Sequence, residues 1–193
     1  MVSSTFEASL PLGCTRSALR EGAVIAYPTE GVWGLGCDIN SAAAVNRILS
    51  MKQRHQDQGL IIVAAAVEQF SDYLGQLRAD QREWLDEIWP GPTTVLVPHL
   101  GRCPDYLCGV HETLALRVSA HPVVSGLCYW MGSPLVSTSA NRSGKPSLMS
   151  SEAVMTEFAG EIDFLIPGPL GGQLGPSEIV DLNSRQILRP RVS

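Results

Sequence analysis

Pro134-Leu135-Val136-Ser137-Thr138-Ser139-Ala140-Asn141-Arg142-Ser143-Gly144 is the stretch on which the reading of this chain turns. Its apolar start has the character of a short buried strand. The strand opens abruptly into a loop of hydroxyls, an amide and a guanidinium. A strand end crowded with small hydrogen-bonding side chains is a common way to present a polar ligand site.

Working outward, apolar runs and amphipathic stripes alternate along the chain. Upstream, Pro122 stands where a helix begins, and Val123, Val124, Leu127, Cys128 and Met131 carry its apolar stripe. Thr113 to Val118 alternates, with Leu114, Leu116 and Val118 on one face and Thr113, Ala115 and Arg117 on the other. Thr93–Val97, Leu60–Ala65 and Ala23–Tyr27 read as further strands, the last stopped by Pro28. Thr15–Gly22 reads as a helix ending at a glycine. Ser41 caps a helix whose last turn carries Lys52, and Asp80 with Glu83 resembles a capping box. Downstream, strands are expected at Phe164–Ile166, Ile179–Leu182 and Ile187–Arg189. This interleaving predicts a mixed α/β (α+β) single domain, residues 1–193, built on one twisted sheet flanked by helices.

Length and composition fit that picture. A chain of 193 residues, 45% hydrophobic and 17% charged, buries a sizeable core and is too apolar for disorder. No apolar run approaches the roughly 18 residues of a membrane span, and residues 1–12 show no secretory leader. Five cysteines without framework spacing fit a reducing compartment, so a cytoplasmic protein is expected. A net charge of −5 argues against an indiscriminate nucleic-acid coat.

Four further segments carry chemistry. Tyr27-Pro28-Thr29-Glu30-Gly31-Val32-Trp33-Gly34-Leu35-Gly36 runs from a strand into a hydroxyl, a carboxylate and three glycines, which permit close backbone approach or positive φ. The plain alternative is a tight turn with Glu30 in solvent. Lys52-Gln53-Arg54 places two cations at a helix end, suited to a polyphosphate or equally to the helix dipole. Arg117 on a sheet face needs an anion, either a ligand or a structural Asp or Glu. Pro167–Glu178, with four glycines and three prolines, is a long irregular loop, a lid or a surface excursion. Phosphate-loop, dinucleotide-binding and nucleophile-elbow signatures do not occur. His99, Cys103, Cys108 and His111 interleave around Pro104 and Gly109 without zinc-site spacing, and a surface loop is the better reading.

Together these segments resemble the YrdC (TsaC) family, the threonylcarbamoyl-AMP synthases, in its short bacterial type. The resemblance lies in Tyr27-Pro-Thr-Glu with Gly34-Leu-Gly36, Lys52-x-Arg54, Trp89-Pro-Gly-Pro-Thr93 and Leu116-Arg117-Val118. It continues in Ser137-Thr-Ser-Ala-Asn141 with Ser143-Gly144, and in Pro176-Ser-Glu-Ile179. These segments stand in family order over roughly residues 15–190. The resemblance implies a YrdC/RibB-like sheet with a concave basic cavity. It also implies conversion of L-threonine, bicarbonate or CO2, and ATP with Mg2+ to threonylcarbamoyl-AMP and diphosphate. Transfer proteins would then carry the group to the adenosine beside the anticodon of tRNA. It assigns Lys52 and Arg54 to the phosphates as the catalytic pair, and Thr29, Arg117, Ser137 and Ser177 to threonine. Thr113, Ser139, Asn141 and Arg189 join Lys52 and Arg54 around ATP, with no protein ligand to the metal. Departures are His55 where the family often has proline, Gly59-Leu60 for Pro-Leu, Ser177-Glu178 for Ser-Thr, and an end soon after Arg189. The competing reading is a non-enzymatic RNA-binding module, with Lys52, Arg54, Arg142 and Lys145 on one concavity. The net charge and the lack of an aromatic-rich strand weigh against it.

Overall fold

The structure, a computed structural model, describes residues 12–192. In chain order the elements are α1 (Leu12–Arg20), β1 (Ile25–Pro28), β2 (Trp33–Asp38), α2 (Ala42–Lys52) and β3 (Ile61–Ala64). Next come α3 (Ser71–Leu74), α4 (Ala79–Ile88), β4 (Thr93–Pro98), α5 (Asp105–Cys108), β5 (Thr113–Val118) and α6 (Pro122–Met131). The chain closes with β6 (Leu135–Ser139), α7 (Ser151–Glu157), β7 (Phe164–Leu165), β8 (Glu178–Asp181) and β9 (Ile187–Arg189). The nine strands of the described residues join one mixed sheet in the order β7-β1-β2-β6-β3-β5-β4-β8-β9. Pairs β1–β7, β3–β5 and β4–β8 are parallel and the others antiparallel.

The registers sort side chains onto two unlike faces, because residues directly opposite each other point the same way. Leu35, Cys37, Val136, Ile62, Leu116 and Val95 share one face and belong to the larger apolar cluster. Helix α2 covers it with Ala44, Val45 and Ile48, joined by Leu85, Leu107 and Phe158. Each fully buried Val, Leu, Ile or Phe side chain among them contributes roughly 1.5–3 kcal/mol of transfer free energy. On the opposite face, Ile25, Tyr27, Val63 and Leu135 pack beneath α6 and Leu19 of α1. That cover ends near Arg117. Beyond it, Thr113, Ala115, Ser137, Ser139 and Ile179 lie on an uncovered half.

Local chemistry accounts for most boundaries. The Ser41 hydroxyl accepts from the Ala44 amide and starts α2, which ends at Gln53 in the left-handed conformation. Pro122 opens α6 and Gly132, at φ 68°, closes it. Helix α4 departs from expectation. It begins after Arg78, and the Gln81 side-chain amide oxygen, not Asp80 or Glu83, accepts from the Arg78 amide. Asp80 lies inside the first turn and pairs with the Arg78 guanidinium.

Two stretches not read as strands from the sequence are strands. Trp33–Asp38 forms β2, whose glycines hide the alternating pattern. A Cβ at Gly36 would meet the Tyr27 ring at 2.7 Å and the Val136 carbonyl at 2.5 Å. The glycines therefore serve close approach, with ordinary φ. The run Ser137-Thr138-Ser139 continues β6, so its hydroxyls stand on the sheet itself.

Candidate functional site

The uncovered half of the sheet is the floor of a cavity of about 230 Å3. Strands β5 and β6 supply Thr113, Ala115, Arg117, Ser137 and Ser139; Leu96, Ile179 and Arg189 extend the floor toward the β9 edge. Thr29–Val32 makes one wall, and Arg54 with Gln58–Leu60 makes another. The Gln173–Ser177 part of the long loop closes over the rim.

That loop is fastened by backbone bonds. The Gly171 amide donates to the Thr29 carbonyl at 3.0 Å, and the Gln173 amide to the Glu30 carbonyl at 2.8 Å. The two chains approach so closely that a Cβ at Gly31 would lie 2.0 Å from the Gly175 carbonyl oxygen. Only glycine fits there. His121 adds a tether, its Nε2 standing 3.0 Å from the Pro169 carbonyl.

Arg117 finds its anion in Glu30. The two form a buried ion pair, and the Ser119 hydroxyl donates to the other Glu30 oxygen at 2.6 Å. Burial by itself would raise the Glu30 pKa, but the Arg117 charge and the Ser119 hydroxyl outweigh it, and the carboxyl sits below its usual range. The glutamate of the first segment is thus inside the site, not in solvent. Arg117 is only 5% exposed, yet its Nε has no hydrogen-bond partner among the described residues.

Arg54 reaches in from the end of α2. It donates to the Gln58 and Gly59 carbonyls, each at 2.8 Å, and to the Thr138 hydroxyl at 3.4 Å. Its buried Nε is also without a partner among the described residues. Arg189 donates to the Ser177 carbonyl through Nε and to the Ser177 hydroxyl at 3.2 Å. The Ser177 hydroxyl in turn lies 2.8 Å from that of Thr94. Burial, then the charges of Arg117 and Arg54, pulls the Arg189 pKa down, a sign that the guanidiniums crowd together. With Arg191, four guanidiniums among the described residues face the cavity against one carboxylate, that of Glu30, in a chain whose net charge is −5.

Of the residues expected at a site, Thr29, Arg54, Thr113, Arg117, Ser137, Ser139, Ser177 and Arg189 all line this one cavity. Thr29 donates its hydroxyl to the Val32 carbonyl at 2.7 Å. Lys52 and Asn141 stand behind the wall. Lys52 is 2% exposed, and burial, then the Arg54 charge, pulls its pKa down to about 7. Its ammonium meets the carbonyls of Ser139 and Asn141 and the Asn141 amide oxygen.

The sequence does not mark Glu30, Ser119, Arg191 or His111 as ligand contacts, although all but Ser119 line the cavity. The alternation Arg189-x-Arg191 at the last strand was the available signal for Arg191. Ser119 offered none, because only the fold brings it to Glu30. Among the described residues, no group of three His, Cys, Asp or Glu gathers as a metal site. Cys103 and Cys108 are buried in the larger core, and His99 Nε2 lies 2.9 Å from the His111 carbonyl. Among the described residues, no helix is long and apolar enough to cross a membrane.

Residues 17–191 match the family model Sua5_yciO_yrdC, described as "Telomere recombination". Among similar proteins, the threonylcarbamoyl-AMP synthase of Chromohalobacter salexigens is 51% identical over 173 residues, 90% of this chain and 93% of that one. The threonylcarbamoyl-AMP synthase of Pseudomonas aeruginosa is 47% identical over 180 residues, 92% and 95% of the two chains. Among solved structures, P. abyssi Sua5 complexed with L-threonine superposes with a TM-score of 0.85 at 33% identity. The match covers 93% of this chain and 54% of that one, so this chain spans about half the length of that relative. E. coli YciO, at 23% identity and a TM-score of 0.82, shares the fold.

Proposed function

The chain belongs to the Sua5–YciO–YrdC family, and from that premise we propose that it is a threonylcarbamoyl-AMP synthase. It joins L-threonine, CO2 or bicarbonate, and ATP into threonylcarbamoyl-AMP and diphosphate. The observation that carries this reading is the pair of buried guanidinium N–H groups without partners among the described residues, on Arg117 in the floor and Arg54 in a wall of one cationic cavity. Buried donors are rarely left unsatisfied, and two anionic groups arriving together would satisfy both. Threonine carrying a carboxylate, beside the phosphates of ATP, is such a pair.

The reaction needs positioning and charge neutralisation, with no enzyme nucleophile. The threonine amine adds to CO2, loses a proton and becomes a carbamate. A carbamate oxygen then bonds to the α-phosphorus of ATP as the bond to the β-phosphate oxygen breaks and diphosphate leaves. Arg117 keeps Glu30 as its fixed partner and turns its remaining donors to the threonine carboxylate. Thr29, Ser137 and Ser177 frame the rest of the amino acid. Arg54 and Arg189 face the phosphates, with Ser139 and Thr113 beside the nucleotide, and Lys52 and Asn141 serve the same end from behind the wall. Mg2+ enters as the counter-ion of ATP, since Glu30 is already spent on Arg117 and Ser119. The product passes to proteins that transfer its threonylcarbamoyl group to tRNA in the cytoplasm, and its synthesis is the work of the one domain, with its core at about 15–190.

Diphosphate release by the purified chain tests this reading, with threonine, bicarbonate and ATP each omitted in turn. Release that requires all three, with an adenylate of threonylcarbamate by mass spectrometry, is the expected result. Threonine-independent ATP hydrolysis, or RNA binding that collapses with salt and ignores ATP, would remove it.

A further inference from the structure

Lys52 and Asn141 occupy the positions that a polyphosphate site would be expected to use, yet their hydrogen-bonding capacity is fully engaged within the protein. A lysine ammonium has three N–H donors and no acceptor. Here three oxygens receive them: the carbonyl of Ser139, the carbonyl of Asn141 at 2.8 Å and the Asn141 amide oxygen at 3.3 Å. The Asn141 side chain is equally spent. Its amide oxygen takes Lys52 and the Ser139 hydroxyl, the latter at 2.6 Å. Its amide nitrogen gives one hydrogen to the Arg142 carbonyl at 2.9 Å and the other to the Lys145 carbonyl at 2.8 Å. Neither residue reaches the cavity wall, whereas Ser139 and Arg54 do.

We propose that Lys52 and Asn141 form an internal frame of positioning residues, which holds the segment 139–148 so that Ser139 and Arg54 meet the ligand. The proposal rests on the reading of the cavity as a nucleotide site for what the frame serves, but not for its existence. The frame links the end of α2 to the end of β6, alongside other fastenings of the same stretch, among them the Ala140 amide on the Trp33 carbonyl at 2.7 Å and the Trp33 amide on the Leu148 carbonyl at 3.0 Å. The Ser143 amide donates to the Lys52 carbonyl at 2.7 Å, and the Leu148 amide to the Ala140 carbonyl at 3.0 Å. The Arg142 guanidinium adds bonds to the Met51 carbonyl and to Glu157 and Glu161. Substituting Lys52 therefore removes three bonds from inside the segment without touching a cavity surface.

Amide hydrogen exchange in the ligand-free protein separates a frame from a ligand contact. For Lys52→Met, exchange at Ser143 and Leu148 rises at least about tenfold, the equivalent of about 1.4 kcal/mol, while amides of β4 and β5 hold their wild-type rates. Arg54→Ala leaves the exchange of 139–148 at wild-type rates. Should Lys52→Met fail to fold, Lys52→Arg keeps the charge but cannot place three tetrahedral donors, and it loosens the same amides. Wild-type exchange across 139–148 in a folded Lys52 variant, combined with weaker ATP binding, would overturn the frame and make Lys52 a phosphate contact. The exchange readout contains neither threonine nor ATP. A chain inactive as a synthase would thus defeat the proposed function while leaving the frame to be judged separately.

Discussion

The two faces of the sheet are built from the same strands and obey opposite rules. In β5, Leu114, Leu116 and Val118 enter a sealed apolar core, while Thr113, Ala115 and Arg117 look into the cavity. One face is covered along its length by helices; the other is covered only as far as α6 reaches. Where cover ends, apolar side chains would be exposed and polar ones must be satisfied by each other or by a ligand. The site is the part of the sheet that the helices leave open. Glu30, Arg117 and Ser119 stand at that boundary and belong partly to each regime.

If the boundary works this way, Glu30→Gln has the largest effect. It leaves the Arg117 charge buried with a neutral partner and costs about 3–5 kcal/mol of stability, measured by denaturant unfolding. The pH dependence has a definite sign. A carboxyl with a depressed folded-state pKa contributes stability above its unfolded pKa, roughly 4.3, and loses it as pH falls through the folded value. The acid limb of the wild type is therefore steeper than that of Glu30→Gln, and parallel limbs would place the pair outside the folding balance.

The covered face is probed by Leu116→Ala, which leaves a cavity in the core and costs about 2–5 kcal/mol. Activity per folded molecule stays near wild type, because the opposite face keeps its groups. A matching drop in specific activity would mean that the faces are not separable. Arg54→Ala is the converse. Diphosphate release falls about 100- to 1000-fold, in line with the removal of a preorganised charge, while unfolding shifts by only about 1 kcal/mol. Full activity of this variant would take Arg54 out of the site. The smallest effect belongs to Arg191→Ala at the half-exposed rim, where the side chain makes a long 3.8 Å contact to Glu178. A rise in KM for ATP of about two- to fivefold matches an exposed charge, and an unchanged KM would leave Arg191 outside the nucleotide path.

The legibility of the two faces also differed. The covered face was readable because apolar alternation is a local signal: Thr113–Val118 named its own two sides, and Ser41 and Pro122 marked their helices. The open face was readable in residue type but not in geometry. Ser137–Ser139 looked like a loop because hydroxyls interrupt an apolar run, although its backbone pairs with Gly34 and Gly36 in the strand alongside. The segment Trp33–Asp38 concealed a strand because its glycines remove the side chains that display alternation. Arg117 demanded an anion, but that the anion is Glu30 depends on a contact spanning 87 positions of sequence. The engagement of Lys52 and Asn141 with each other is invisible in their spacing.

The most direct test of the account is to locate L-threonine and a non-hydrolysable ATP analogue in a crystal structure of the complex. The account places the threonine carboxylate within hydrogen-bond distance of Arg117, and the phosphates against Arg54 and Arg189 on the open half of the sheet. Ligands seated elsewhere, or an Arg117 and an Arg54 whose Nε groups stay unpartnered with both ligands bound, would contradict it.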